Sequence, residues 1–309
     1  MGTTLSTLQQ SRDRVKTLLD NFVDRLDKGP DMRVNQAIVT FCSVRSLDNL
    51  RQHYEKRKLE AGDSAEDWIK SLAGKLGDLT SVPYAAGLGA LAVAIIIDIT
   101  SRAPAEESTK DALRSVFAEE KASEVWDQID ECLKRCVMNV NNRAELQSDL
   151  KRIECQLSTA LTKLKNSMVR DGEMTPQALK AWVNGAAFHV EMLIHMVRIR
   201  GIQTCDPVER LLSAYQSDLD TLFSEHRAVT REKCHLVHSC VCMDRTHRPK
   251  SFCNEKGKQY EIADLNEEYF GAYYNHTYFS QKREIEQHFT KVRENLPTLV
   301  GQGDSFTLQ

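Results

Sequence analysis

Residues 142–168, with the sequence NRAELQSDLKRIECQLSTALTKLKNSM, carry the clearest structural pattern in the chain. Apolar side chains recur there at steps of three and four residues, which is the spacing of one face of an α-helix. The start from Asn142 to Glu145 resembles a capping box in which asparagine replaces serine or threonine. The pattern predicts a long amphipathic helix with a narrow seam, packed in an antiparallel bundle or coiled coil. The residues of this seam are Leu146, Leu150, Ile153, Leu157, Leu161, Leu164 and Met168.

The next two segments begin with the same helix-start signal, in which proline follows a capping residue. Thr175-Pro176 begins a helix that Gly201 is expected to end, and apolar residues on nearly all of its faces predict a central, buried position. Asp206-Pro207 begins another amphipathic helix. No alternating strand pattern longer than four residues competes, apart from a weak one at 236–243. The sequence therefore predicts an all-α fold, an elongated bundle of about eight or nine helices.

The composition is that of a globular chain and weighs against several functional classes. The length of 309 residues is enough for one large or two ordinary domains. Of these residues, 41% are hydrophobic and 28% are charged, as is typical of globular proteins. The net charge of −3 gives no general attraction to nucleic acid, so no nucleic-acid partner is expected. The nine cysteines form no repeating framework, and we expect them to be reduced thiols in the cytosol.

Breaks in the helical pattern divide the chain into three regions. Residues 1–102 hold the N-terminal helices, with a lipid-attachment signal and an apolar segment, and Ala103-Pro104-Ala105 interrupts the pattern after them. Residues 103–233 form the predicted core of the bundle. Residues 234–309 hold a connection rich in cysteine and histidine, followed by a C-terminal helix rich in aromatic residues. A single domain that contains all three regions is the alternative.

The first six residues, Met1-Gly2-Thr3-Thr4-Leu5-Ser6, match the pattern M-G-x-x-x-[ST] for N-myristoylation. After removal of Met1, a myristoyl chain would be joined to the amino group of Gly2. One such chain binds membranes weakly and reversibly, so stable attachment needs a second signal. The basic residues between Arg12 and Lys16 are interleaved with acidic ones and form a weak basic patch, so the second signal has to come from elsewhere.

The segment Leu79–Ile97 contains no charged residue and is the best candidate for that second signal. A bilayer core needs about 20 consecutive apolar residues, so the segment is just long enough to span one. Polar residues and a proline weaken this interpretation. One alternative is a helix near residues 82–98 that is buried in the bundle, and the other is a helix that inserts into a membrane. In a third interpretation, the buried and the inserted helix are two states of one protein. The residues that define the segment are Pro83, Gly87, Gly89, Ile95, Ile96, Ile97 and Asp98.

A second cluster of candidate site residues consists of seven potential metal ligands. Zinc prefers four thiolate or imidazole ligands, which makes zinc the one candidate cofactor. The spacing lacks a C-x-x-C pair, so a short hairpin with incidental cysteines, or reduced thiols in the core, are the alternatives. The potential ligands are Cys234, His235, His238, Cys240, Cys242, His247 and Cys253.

Two further histidines lie on the helix that is expected to be central. His189 and His195 are six residues apart, so they do not share a face of that helix and are poorly placed to hold one metal ion together. We expect both to be core histidines whose ring nitrogens are hydrogen-bonded.

No P-loop, G-x-G-x-x-G, G-x-S-x-G or H-E-x-x-H motif occurs, so the sequence predicts no enzymatic activity. We expect an N-myristoylated, cytoplasmic protein that binds reversibly to the cytosolic face of a membrane or, through Leu79–Ile97, is integral to it. It would act by binding membrane lipid or protein partners. A helical bundle that shelters one apolar segment resembles α-helical pore formers and apolipoprotein-L-like proteins in architecture. The alternatives are a soluble helical interaction module that self-associates along Leu146–Met168, and a zinc-binding protein centred on Cys234–Cys253.

Overall fold

A computed structural model describes residues 2–60, 86–101, 108–118, 122–139, 142–201, 204–238, 250–262 and 268–302. These residues are mostly helical, with one small antiparallel sheet, which confirms the all-α class. Within these ranges, eight helices have fourteen or more residues, and four shorter helices bring the total above the eight or nine expected.

The elements are numbered in chain order. The helices are α1 (Gly2–Val23), α2 (Gln36–Phe41), α3 (Ser46–Glu60), α4 (Leu88–Ser101), α5 (Thr109–Arg114), α6 (Ser123–Met138), α7 (Arg143–Arg170), α8 (Pro176–Arg200), α9 (Asp206–Lys233), α10 (Glu268–Tyr274), α11 (Ser280–Glu294) and α12 (Leu296–Gly301). A short 3₁₀ turn (Ser115–Phe117) follows α5, and a π-helical turn (Asn275–Phe279) connects α10 to α11. The strands are β1 (His235–His238), β2 (Lys250–Cys253) and β3 (Gln259–Ile262).

The chain forms two compact units, each built from segments that are distant in sequence. The helical unit comprises Met32–Leu222 and Ile285–Gln309, and the mixed unit, which contains the sheet, comprises Met1–Asp31 and Phe223–Glu284. The three consecutive regions expected from the sequence stay a prediction.

The predicted seam of α7 lies in the core of the helical unit. All seven seam residues are at most 3% exposed, and α7 packs against α6 and α8. One half of the expected capping box forms, since Oδ1 of Asn142 accepts a hydrogen bond from the backbone N–H of Glu145 at 3.2 Å, whereas the N–H of Asn142 donates to the carbonyl oxygen of Asn139. Self-association through the seam would require the core to open. A self-association surface on α7 therefore has to use its exposed residues.

Helix α8 has the central, buried position that its sequence predicts. Thr175 caps its first turn, and Gly201 ends it with a φ of 66°, in the left-handed region that favours glycine. Gly185 allows the neighbouring helices to approach closely. A Cβ atom at this position would lie 2.6 Å from Cδ2 of Leu161 and 2.8 Å from Cγ1 of Val125.

The mixed unit is built on a three-stranded antiparallel sheet in the order β1-β2-β3. Its register pairs His235 with Cys253 and Phe252 with Tyr260, and β1 overlaps the weak strand pattern at 236–243. Phe22 of α1 is fully buried and makes edge-to-face contacts with Phe252, Tyr260 and Tyr269, at centroid distances between 5.0 and 6.0 Å. Aromatic packing therefore fixes the end of α1 to the sheet and to α10.

Candidate functional site

The apolar segment forms helix α4, and most of that helix is buried in the helical unit. The residues from Leu88 to Ile95, including Gly89, are buried, and so is Ile97. Gly87 precedes the helix with a φ of 56°, and its N–H donates to Oγ of Ser46 at 3.0 Å. Pro83 and the rest of residues 79–85 lie outside the described residues.

The length of α4 bears on the membrane interpretation. Its fourteen residues correspond to about 21 Å at about 1.5 Å per residue, whereas the hydrocarbon core of a bilayer is about 30 Å thick. Among the residues that the structure describes, no helix has the length and hydrophobicity needed to cross a membrane. In this structure, Leu88–Ile97 belongs to a helix that is mostly buried in the bundle, which is one of the two arrangements expected from the sequence.

Asp98, next to the apolar segment, holds α4 to α3 and α5 through a buried cluster of polar groups. Its side chain is 2% exposed. Oδ1 accepts a hydrogen bond from Nε of Arg57 at 2.9 Å and lies 2.8 Å from Nε2 of His53. Oδ2 accepts hydrogen bonds from the backbone N–H of Thr109, at 2.7 Å, and from its hydroxyl. Burial opposes ionisation of Asp98, but the bonds from His53 and Thr109 outweigh it and hold the pKa well below its usual range.

The part of α4 that the other described residues leave uncovered forms an open apolar groove with α6. We call it the α4–α6 groove. It encloses about 230 Å³. Two of its large apolar side chains, Ile99 and Met138, are 68% and 69% exposed. Adjacent exposed apolar side chains of this kind mark interaction sites more often than singly scattered ones do. The groove is lined chiefly by Ile95, Ile96, Ile99, Leu133, Val137 and Met138.

Three charged residues line the same groove: Lys110, Asp130 and Lys134. We call these three residues the lysine rim. Nζ of Lys110 lies 2.6 Å from Oδ1 of Asp130, and Nζ of Lys134 lies 2.8 Å from Oδ2. Burial raises the pKa of Asp130, but the hydrogen bonds from both lysines outweigh it, so the pKa lies below its ordinary value. The hydrogen bond to Asp130 raises the pKa of Lys134. The three lining residues together carry one net positive charge, and the carboxylates of Glu131 and Asp127 also raise the pKa of Lys134.

Gly2, the predicted acylation site, is the first residue of α1. Between Arg12 and Asp20 the side chains are exposed or half-buried, whereas Phe22 is buried in the mixed unit. Among the α1 side chains that the structure describes, burial is therefore confined to the C-terminal end of the helix, at Phe22. Acylation of Gly2 stays a prediction.

The segment rich in cysteine and histidine is described only in part, since Cys240, Cys242 and His247 lie outside the described residues. Of the other four candidates, Cys234 precedes β1, His235 and His238 belong to β1, and Cys253 ends β2. In the described part of the chain, no three histidine, cysteine or acidic side chains are grouped so that they could hold a metal ion. The zinc site stays a prediction, and the short hairpin that was its alternative corresponds to β1 and β2.

The thiol of Cys234 has a partner other than a metal. It is buried and donates to Oε2 of Glu255 at 3.8 Å, and burial raises its pKa to about 12. Such a thiol is protonated near neutral pH. Cys253 is buried as well, whereas His235 is exposed, so the described candidates differ in environment.

Glu255, which no sequence pattern singles out, is the centre of a polar cluster in the mixed unit. Its Oε2 accepts a hydrogen bond from the hydroxyl of Tyr273 and its Oε1 accepts one from Tyr278, both at 2.6 Å. Burial, together with these bonds, raises the pKa of both tyrosines. Tyr273 lies in α10 and Tyr278 in the π-helical turn, so the cluster ties this turn to the β2–β3 connection. The density of tyrosines predicts a packed helix, but it does not reveal the carboxylate partner.

The histidines of α8 are buried in the core of the helical unit. Nε2 of His189 lies 3.0 Å from Oε1 of Glu154, and Nδ1 is hydrogen-bonded to the hydroxyl of Tyr215, which confirms the expectation for this residue. His195 is also buried, and burial lowers its pKa to about 3. Burial raises the pKa of Glu191 to about 8, although Arg198 opposes this shift. These groups lie inside the core, whereas the α4–α6 groove is open at the surface.

The α4–α6 groove is therefore the candidate functional site on geometric grounds. It combines an apolar floor, two highly exposed apolar side chains and a net-positive rim. The chain matches no protein-family model, and neither a curated protein nor a solved structure is significantly similar to it.

Proposed function

We propose that this protein is N-myristoylated at Gly2, binds reversibly to the cytosolic face of a membrane and acts there by contacting lipid. The observation that carries the proposal is the α4–α6 groove, in which exposed apolar side chains lie beside a net-positive rim. A single myristoyl chain gives an association constant of only about 10⁴ M⁻¹, so a second contact with the membrane is needed for longer residence.

The groove supports the proposal because it can supply that second contact. Full burial of a large apolar side chain contributes about 1.5–3 kcal/mol. Ile99 and Met138 are 68% and 69% exposed, so each has roughly 1–2 kcal/mol to gain from contact with lipid. Lys110 and Lys134 add attraction to anionic lipid, at about 1 kcal/mol for each basic residue near the surface.

The first experiment tests acylation. Cells that express the wild type or Gly2→Ala are labelled with a clickable myristate analogue and separated into membrane and soluble fractions. The proposal predicts label on the wild type alone, with part of the labelled protein in the membrane fraction. Absence of label from the wild type, or equal membrane recovery of both forms, would contradict the proposed role of Gly2.

The second experiment tests the groove as a membrane contact. Acylated wild type and Ile99→Asp are compared by cosedimentation with vesicles that contain phosphatidylserine. We expect the variant to bind about tenfold more weakly, since it loses about 1.4 kcal/mol of apolar contact. Leu59→Asp is the matched control, because Leu59 is 82% exposed in α3 and does not line the groove. Equal losses in both variants would show that the groove has no specific part in membrane binding.

A further inference from the structure

We infer that the α4–α6 groove binds one molecule of a free fatty acid, with the acyl chain on its apolar floor and the carboxylate at the lysine rim. This inference rests on the proposed function, because it names the kind of lipid that the groove takes. It concerns a single molecule that is taken up from solution, and it does not require a bilayer.

The size of the groove favours one slender chain. Its volume of about 230 Å³ lies below the range of about 300–1,000 Å³ that is typical of pockets for drug-sized ligands. Ala92 and Ile99 both line it, and their separation of seven positions in α4 corresponds to about 10 Å along the helix axis. A groove of this length and volume suits one extended alkyl chain better than a bulky ligand.

The floor of the groove requires an apolar occupant. Its lining contains Ile95 and Ile96 from α4 and Leu133 and Val137 from α6, and its charged members are the three residues of the lysine rim. A polar ligand would lose its hydrogen bonds to water on this surface and gain none in return. An alkyl chain has no such groups to desolvate.

The charge of the rim selects the head group. Lys110 and Lys134 share a single carboxylate, that of Asp130, and their side chains are 36% and 56% exposed. An ammonium group has three N–H donors, so pairing with Asp130 leaves donors on both lysines for a second anion. A carboxylate is therefore favoured over a cationic or a neutral head group.

The test uses full-length protein expressed without a myristoyltransferase, so that Gly2 carries no acyl chain. Laurate is titrated into this protein below its micelle concentration and followed by calorimetry. Dodecyltrimethylammonium, which has the same number of chain carbons and the opposite charge, is the control ligand. We expect saturable binding of one laurate and at least about tenfold weaker binding of the cation. No laurate binding, unsaturable binding or equal affinity for both amphiphiles would overturn the inference.

Two variants and one control locate the site. Val137→Asp places a charge on the floor at a side chain that is 39% exposed, and we expect at least about tenfold weaker laurate binding. Asp130→Asn removes the carboxylate that competes for the lysines, and we expect tighter laurate binding. Lys163→Glu changes an exposed pair with Glu124, away from the groove, and is expected to leave binding unchanged. Thermal unfolding by circular dichroism verifies that each variant is folded.

The outcomes separate this inference from the proposed function. Weaker laurate binding by Asp130→Asn than by wild type would overturn the assignment of the head group to the rim. Normal laurate binding by Val137→Asp would overturn the assignment of the chain to the floor. Failure of Gly2 labelling in cells would refute acylation without affecting these titrations, since the titrated protein carries no acyl chain.

Discussion

Replacement of Asp98 by asparagine is expected to destabilise the helical unit by about 3 kcal/mol. Removal of one partner from a buried ion pair costs about 3–5 kcal/mol, because the other charge is left uncompensated. The side chain of Asp98 is 2% exposed and that of Arg57 is 9% exposed, so this range applies to the pair. We expect the lower end, because Arg57 keeps a second carboxylate, that of Glu60, at 2.8 Å.

Asparagine has nearly the shape of aspartate, which isolates the effect of charge and hydrogen bonding. Its amide oxygen can still accept one set of hydrogen bonds. Its amide nitrogen is a donor, and it would face either Arg57 or the backbone N–H of Thr109, which are donors as well. One buried donor therefore loses its acceptor, in addition to the loss of the charge.

Urea unfolding followed by tryptophan fluorescence measures this change. Trp126 and Trp182 both lie in the helical unit, as Asp98 does. With a urea dependence of about 2 kcal/mol per molar, a loss of about 3 kcal/mol lowers the midpoint by about 1.5 M. Asp48→Asn is the control, because Asp48 forms an exposed pair with Arg45 at 3.6 Å, and such pairs contribute at most about 1 kcal/mol.

The pH dependence provides an independent check on the same residue. The folded-state pKa of Asp98 lies well below the value of about 3.9 in an unfolded chain. Its contribution to the free energy of unfolding is therefore complete above about pH 4 and is lost as the pH falls through the folded-state pKa. The difference between wild type and Asp98→Asn should narrow in acid. A midpoint shift at pH 7 no larger than that of Asp48→Asn would refute the reasoning.

Four further substitutions test other parts of the structure. Burial raises the pKa of Glu191 to about 8, so the folded protein keeps a proton that the unfolded chain releases above about pH 4.3. The free energy of unfolding should therefore fall as the pH rises from about 4.3 to about 8. Glu191→Gln should abolish that fall, as measured by urea midpoints at pH 5 and pH 8.5. Gly185→Ala should lower the free energy of unfolding by about 1–3 kcal/mol because the added Cβ overpacks the core. Gly271→Ala should raise it by about 0.5–1 kcal/mol, because its Cβ would meet nothing within 4 Å and alanine favours the helix. Thermal unfolding compares the two variants. Tyr278→Phe removes a 2.6 Å hydrogen bond to the carboxylate of Glu255 and should cost about 1.5–3 kcal/mol, with faster amide hydrogen exchange in the mixed unit; unchanged exchange would contradict this.

The features that were predictable from the sequence are those set by neighbouring residues. The seam of α7 follows from a three- and four-residue repeat, and Thr175 and Gly201 mark the ends of α8 because capping depends on local backbone geometry. The apolar composition of Leu88–Ile97 indicates burial, but it does not show which side of α4 the bundle leaves uncovered. The α4–α6 groove depends on that side, and so it could not be predicted.

Polar clusters whose members are distant in the sequence could not be predicted from the sequence either. Asp98 lies 45 residues from His53 in the sequence. Its position beside an apolar run indicates the end of that run, and it does not indicate that the carboxylate is buried and hydrogen-bonded to other helices. Glu255 is 23 residues from Tyr278 and occurs in a turn of ordinary composition. Side chains of this kind carry no periodic signal, because their partners are determined by tertiary packing.

The folding of α1 against residues near the other end of the chain has a consequence for the timing of events during synthesis. Arg25, just beyond α1, donates a hydrogen bond to the backbone carbonyl of Glu261, which is 236 residues later in the chain. At a translation rate of about 5–20 residues per second, the ribosome needs roughly 10–50 s to make that stretch. For this interval the new amino terminus has emerged while the sheet that will hold α1 does not yet exist. An enzyme that acted on Gly2 of the nascent chain within this interval would therefore do so before α1 can dock, and the order of the segments along the chain sets the length of the interval.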